Sequence, residues 1–191
     1  MTDIALFPTT SHLLPDGNVE LLICEERHLR MLKQSLSGDR GFAVCMLNED
    51  EVNSELKKIP AIATQCEVVN FDALEGGLLS IKVKGRQKVR LLSVSVEHDD
   101  LLCAQFTPYT NWSPCPLKAN DKELADKLVL YFQSMPEIGA LYTHHELDDL
   151  TWVCQRWIEV LPLEVHYKQL LITQTGPKLT ARFLHKLFLA D

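Results

Sequence analysis

The spacing of apolar residues changes once along this chain. It changes across a segment, 108–119, that Pro108, Pro114 and Pro116 keep from being helical. Before that segment the apolar positions alternate at the strand period of about 2, and beyond it they recur at the helical period of about 3.6. The chain is therefore expected to be α+β: a strand-rich part over 1–108, a proline-containing connector over 109–119, and a helical bundle over 120–191.

In the first part, the apolar run Leu6-Phe7-Pro8 reads as a strand ending in a proline. Leu14-Pro15-Asp16-Gly17 reads as a turn, with Pro15 presetting φ and Gly17 free to take a positive one. A second strand, Val19 to Ile23, passes into a helix from Glu25 to Leu36. That helix has Leu29, Leu32 and Leu36 on one face and stops at Gly38. Phe42 to Leu47 reads as a buried strand and Asn48 to Lys58 as a mobile polar loop. Four further strands are predicted: Ile62 to Phe71, Leu78 to Val83, Val89 to Glu97, and Leu101 to Thr107, with a turn at Leu74-Glu75-Gly76-Gly77. Short strands spaced by turns around one helix predict a small closed or nearly closed barrel.

In the second part, a helix carries Leu124, Leu128, Tyr131, Phe132 and Met135 and ends at Pro136. Thr143-His144-His145-Glu146 has the spacing of a capping box for the next helix, which carries Leu147, Leu150, Cys154, Trp157, Ile158 and Leu161 and closes at Pro162. A shorter helix is predicted over Glu164 to Ile172. A last one follows Gly176-Pro177 with Leu179, Phe183, Leu187 and Phe188.

Several of these strings, in this order, resemble the N-terminal substrate-binding domain of Lon proteases. The strand into Phe7-Pro8, the Pro15-Asp16-Gly17 turn and Ile23-Cys24-Glu25-Glu26-Arg27-His28 follow that family's opening. Ile23, Glu25 and Arg27 match it, while Cys24, Glu26 and His28 stand where the family usually has Phe, Pro and Tyr. Ile62 to Val68 resembles a second family strand with Ala63 in place of a glycine. Gly77 to Leu91 resembles a third, keeping Gly85 but placing Lys88-Val89 at an Arg-Phe position. Leu161-Pro162-Leu163 through Gln169-Leu170-Leu171, then Arg182-Phe183 to Leu187, extend the likeness through the helical part. The resemblance implies a PUA-like pseudo-barrel in the first part and a role in binding polypeptides.

It does not imply catalysis by this chain. A phosphate-binding loop needs glycines leading to Lys-Ser or Lys-Thr, and Gly176-Pro177-Lys178 lacks the spacing and puts a proline where an amide is required. The Ser-Lys peptidase core of Lon lies in a separate domain, and neither G-x-S-x-G nor H-E-x-x-H occurs. The chain is expected to be non-enzymatic and to need no cofactor. His144, His145 and Glu146 with Asp148 and Asp149 are the densest titratable cluster, but adjacent helical histidines point about 100° apart, so no metal site is expected.

A net charge of −7 disfavours nonspecific adherence to nucleic acid or anionic membrane. No apolar run reaches the ~18 residues of a membrane span, and Met1-Thr2-Asp3-Ile4 does not open like a signal peptide. A cytoplasmic location is expected, and the six scattered cysteines are read as reduced: five as small buried hydrophobes, Cys115 in its proline loop as the exposed one.

Two surfaces invite partners. Trp112, in the proline segment, is expected to be exposed and available for binding, whereas Trp157 on an apolar stripe belongs to the core. Lys82, Lys84, Arg86, Lys88 and Arg90 alternate with Ile81, Val83, Gly85, Gln87 and Val89 and would line one face of a strand. The leading expectation is a module that takes extended or unfolded polypeptide, or a partner protein, along a sheet edge or in a groove between barrel and helices. The alternative is a PUA-like RNA-binding module using the strip Lys82–Arg90, which would also suit an acidic partner. Glu25 and Arg27 are expected to be structural. A cation in a helix's first turn opposes the dipole, so Arg27 needs a carboxylate or strand carbonyls and would clamp the helix to the barrel.

Overall fold

The computed structural model describes residues 3–48 and 59–189. The loop expected over 48–58 therefore falls, from residue 49 on, outside the described residues. The chain divides into two compact units, Met1–Asn111 and Trp112–Asp191.

The first unit is a six-stranded sheet with one helix: β1 (Asp3–Thr9), β2 (Asn18–Ile23), α1 (Glu26–Ser37), β3 (Phe42–Met46), β4 (Ile62–Ala73), β5 (Leu79–Val96) and β6 (Leu102–Pro108). The strand order is β2-β5-β4-β3-β1-β6, and β6 pairs again with β5, so the sheet curls back on itself as a pseudo-barrel. All neighbours are antiparallel except β1 and β3, which run parallel from Ala5 beside Phe42 to Thr9 beside Met46.

Two predicted strands, Leu78 to Val83 and Val89 to Glu97, are one strand, β5, which changes partners along its length. Its first half pairs with β2 from Leu79 to Lys84, and its second half pairs with β6 from Val89 to Val96. The turn at Leu14–Gly17 fills the gap between them. Asp16 N donates to Gly85 O at 2.9 Å and Gly85 N donates to Gly17 O at 2.9 Å. A Cβ at Gly85 would lie 2.2 Å from the Leu14 carbonyl oxygen, which explains the glycine there. In the turn itself the left-handed position belongs to Asp16, φ 61°, and not to Gly17 as the dipeptide suggested. Asp tolerates that conformation better than most residues.

Both faces of the sheet are buried. Ala5, Phe7, Phe42, Val44, Ile81 and Val83 pack with Met31 and Leu32 of α1 in one cluster. Ile4, Leu6, Ala43, Cys45, Ala63 and Val89 form another. This is why β1 and β3 read as continuous apolar runs and not as alternating ones. α1 ends as its sequence predicts, on Gly38 at φ 81°, whose N–H donates to Ser35 O at 3.2 Å.

The second unit is helical: α2 (Lys122–Ser134), α3 (Pro136–Gly139), α4 (Leu150–Val160), α5 (Val165–Ile172) and α6 (Lys178–Leu189). Pro136 opens the short α3 after ending α2. The expected capping box at Thr143–Glu146 does not start α4. Its cap is Asp149, whose Oδ1 accepts from Thr151 N at 2.9 Å and from Cys115 N at 2.8 Å. Asp149 also bridges Pro116, and Leu117 N donates to Asp148 O at 2.8 Å, so the two residues before α4 are held against the proline loop. Inside α4 burial is nearly complete from Leu150 to Ile158, and Trp157 is in the core as expected. Among the described residues no helix is long and apolar enough to cross a membrane.

Candidate functional site

Trp112 is not an exposed platform. It is 6% exposed, and its indole Nε1 donates to Gln174 O at 2.7 Å. An indole has one donor, and here a backbone carbonyl takes it while the ring is packed. Of the cysteines, Cys24 is exposed at the end of β2, Cys115 is partly buried, and the other four are buried. Cys24 was expected inside because its neighbours are apolar, but it follows the strand's alternation outward.

The cationic strip does not form. β5 has an extra residue at Arg86, because Gln65 and Cys66 of β4 face Gln87 and Gly85. That bulge inverts the alternation: Ile81 and Val83 pack in the first core cluster, but Val89 packs in the second. Lys88 is consequently carried inward to 1% exposure, its ammonium 5.2 Å from the centre of the Tyr109 ring. Burial pulls its pKa down to about 8. Lys84 pairs with Asp16 at 3.3 Å and Arg86 pairs with Glu67, while Arg90 lies 5.0 Å from the Tyr109 ring. The remaining cations are thus split and partly neutralised.

Arg27 and Glu25 line a cleft of about 680 Å³, together with Arg30, Lys33, Asp99 and Asp100. Arg27 Nη1 donates to Asp100 O at 2.7 Å, and Nη2 pairs with Glu25 Oε2 at 2.8 Å. One turn later Arg30 grips Asp99 with two bonds of 2.7 Å and also pairs with Glu97. Arg40 reaches Glu97 Oε1 at 2.6 Å and Asp3 Oδ2 at 3.0 Å. The Arg40 and Arg30 guanidinium groups hold the Glu97 carboxyl down to about 2. Asp3, Glu97 and Cys103 come close enough together to hold an ion, but Arg40 already occupies both carboxylates. Beside Arg27, the His28 ring packs tilted against Phe7 with the ring centres 4.6 Å apart, and burial lowers its pKa. Arg27 and Arg30 thus tie α1 to the β5–β6 turn.

An open surface occurs elsewhere, on β4. β3 pairs with β4 only from Thr64 to Cys66, because β3 begins at Phe42 opposite Cys66. Beyond Cys66 no strand among the described residues covers the outer edge of β4, although its inner edge stays paired with β5 as far as Ala73. A second bulge falls on this stretch: Val68 and Asn70 face the consecutive residues Val83 and Lys82, so Val69 is the extra one. Val69 is 46% and Phe71 60% exposed, and Leu74 follows them at the hairpin, 45% exposed. Phe71 stands directly across from Ile81 of the first core cluster, so the exposed ring prolongs a buried apolar row. Large apolar side chains beside unpaired backbone donors and acceptors can take up an extended chain. By its sequence, Ile62 to Phe71 reads as one more barrel strand. The signal available was Val68-Val69 interrupting the alternation before Asn70.

The family model described as the ATP-dependent protease La (LON) substrate-binding domain matches residues 3–181. Among solved structures, the fold is similar to a Lon N-terminal domain protein from Xanthomonas campestris, with a TM-score of 0.74 and 22% identity over 97% of this chain and 98% of that one. It is also similar to the N-terminal domain of a Mycobacterium avium complex Lon protease, with a TM-score of 0.61 and 13% identity over 96% of each chain. No curated protein matches the sequence.

Proposed function

The chain belongs to the Lon substrate-binding domain family, and from that premise we propose that it is a non-catalytic module that binds extended or unfolded polypeptide. The observation that carries this reading is the open outer edge of β4 with Val69 and Phe71 exposed beside it. Folded monomers seldom leave a strand edge both apolar and uncovered, since it templates further pairing. The charged cleft at α1 offers no comparable opening, because its guanidinium groups already have carboxylate or carbonyl partners.

The test is binding of a fluorescein-labelled, reduced and carboxymethylated globular protein, with the same protein in its folded form as control. Saturable binding of the unfolded form alone, without added nucleotide, is expected. No binding with a Kd below roughly 1 mM, the scale of about 4 kcal/mol, would overturn the reading.

A further inference from the structure

We propose that the outer edge of β4 from Glu67 to Ala73 takes its client as an added strand, and that this edge selects a segment whose apolar residues are followed by lysine or arginine. The inference rests on the polypeptide-binding reading and names the mode and the chemistry of that same site.

Three observations carry it. The ladder from β3 stops at Cys66, so an incoming segment continues an existing row of strands and builds no new surface. The inner edge of the same stretch is held by β5 from Lys84 to Leu79, so the template is already extended. The charges along the stretch are acidic where they are not already paired. Glu67 is engaged by Arg86, but Asp72 and Glu75 are exposed and make no ion pair among the described residues. Val69 and Phe71 thus lie in the middle of the edge, with two uncompensated carboxylates at its hairpin end. A segment that runs parallel to β4 and lays apolar side chains beside Val69 and Phe71 places its next residues near Asp72 and Glu75, where a cation is favoured. The bulge at Val69 discourages a long flat partner and suits a short one, in keeping with a site that grips and releases.

The experiment uses the full chain and three labelled nine-residue peptides. The first has alternating leucine and threonine ending in two lysines, the second is the same with glutamates for the lysines, and the third is the lysine peptide N-methylated at alternate amides, made in two versions that methylate the one or the other alternate set. The lysine peptide is expected to bind at least about tenfold more tightly than the glutamate peptide. N-methylation in one of the two alternate registers is expected to abolish binding, because it removes the donors that pair with β4. Phe71→Lys is expected to weaken the lysine peptide about tenfold with an unchanged melting curve, since that ring is mostly exposed. Equal binding of both N-methylated registers, or of the glutamate peptide, would overturn the proposal. So would a dimer of the wild-type chain that Phe71→Lys dissolves, which would assign the edge to a second copy. Unfolded-protein binding that survives in Phe71→Lys would remove this edge and leave the proposed function standing.

Discussion

Arg27 occupies a position that elementary electrostatics disfavours, the first turn of α1, where the helix dipole is positive. Glu25, the residue before the helix, does not cap it with a side-chain bond but reaches Arg27 Nη2 at 2.8 Å. The other terminal nitrogen spans to the Asp100 carbonyl in the β5–β6 turn. Two directed bonds from one planar group to two partners are what a guanidinium can do and an ammonium cannot do equally well. Arg27→Lys is therefore expected to lower unfolding stability by about 1–3 kcal/mol, the range for hydrogen bonds to charged groups. Denaturant unfolding of the variant against the wild type measures it. An identical midpoint would show that the clamp lies with Arg30 and Arg40 alone, and unchanged stability with lost peptide binding would place Arg27 in the binding site.

At the scale of elements, the start of α4 shows a local motif overruled by a tertiary contact. The sequence points to Thr143–Glu146 as the capping box, but the cap is Asp149, which the bridge to Pro116 holds in place. Asp149→Ala removes the acceptor for Thr151 N and for Cys115 N, and is expected to cost about 1–2 kcal/mol. Glu146→Ala is expected to cost nothing measurable, and a thermal melt of the two variants reverses this assignment if Glu146→Ala proves the more damaging. The same contrast explains what was legible beforehand. Helix α1 with its Gly38 stop, the change of period near Pro108, and α5 and α6 all follow from local chemistry. Three things depend on partners distant in sequence: the cap of α4, the burial of Lys88, and the open stretch of β4. The bulge at Arg86 is decisive for Lys88, and those at Val69 and Leu92 likewise invert the alternation that pattern reading assumes. Val89 and Leu91 join the second cluster after the Arg86 bulge, and Val94 joins it only because Leu92 shifts the phase again.

For the whole molecule, the arrangement of charge decides between polypeptide and nucleic acid. A chain of net charge −7 can bind RNA only by concentrating cations on one face, and of the five cations proposed for that purpose only Lys82 is neither buried, ion-paired nor set against an aromatic ring among the described residues. Lys88 is buried, Lys84 and Arg86 are paired with Asp16 and Glu67, and Arg90 lies against Tyr109. What remains open is an apolar edge with two acidic side chains, which repels phosphate and accepts a segment that is mainly apolar. The two ligands respond differently to salt, since phosphate contacts release counterions and apolar burial does not. Raising salt from about 0.05 to about 0.5 M is expected to change the affinity for unfolded polypeptide by less than about tenfold, because only two exposed carboxylates are screened. A labelled single-stranded RNA is expected to show no saturable binding at about 0.1 M salt. RNA binding that appears there and collapses steeply with added salt would mean that Lys82 binds phosphate and that Lys84, Arg86 and Arg90 exchange their present partners for it, and the function would then belong to β5 and not to the edge of β4.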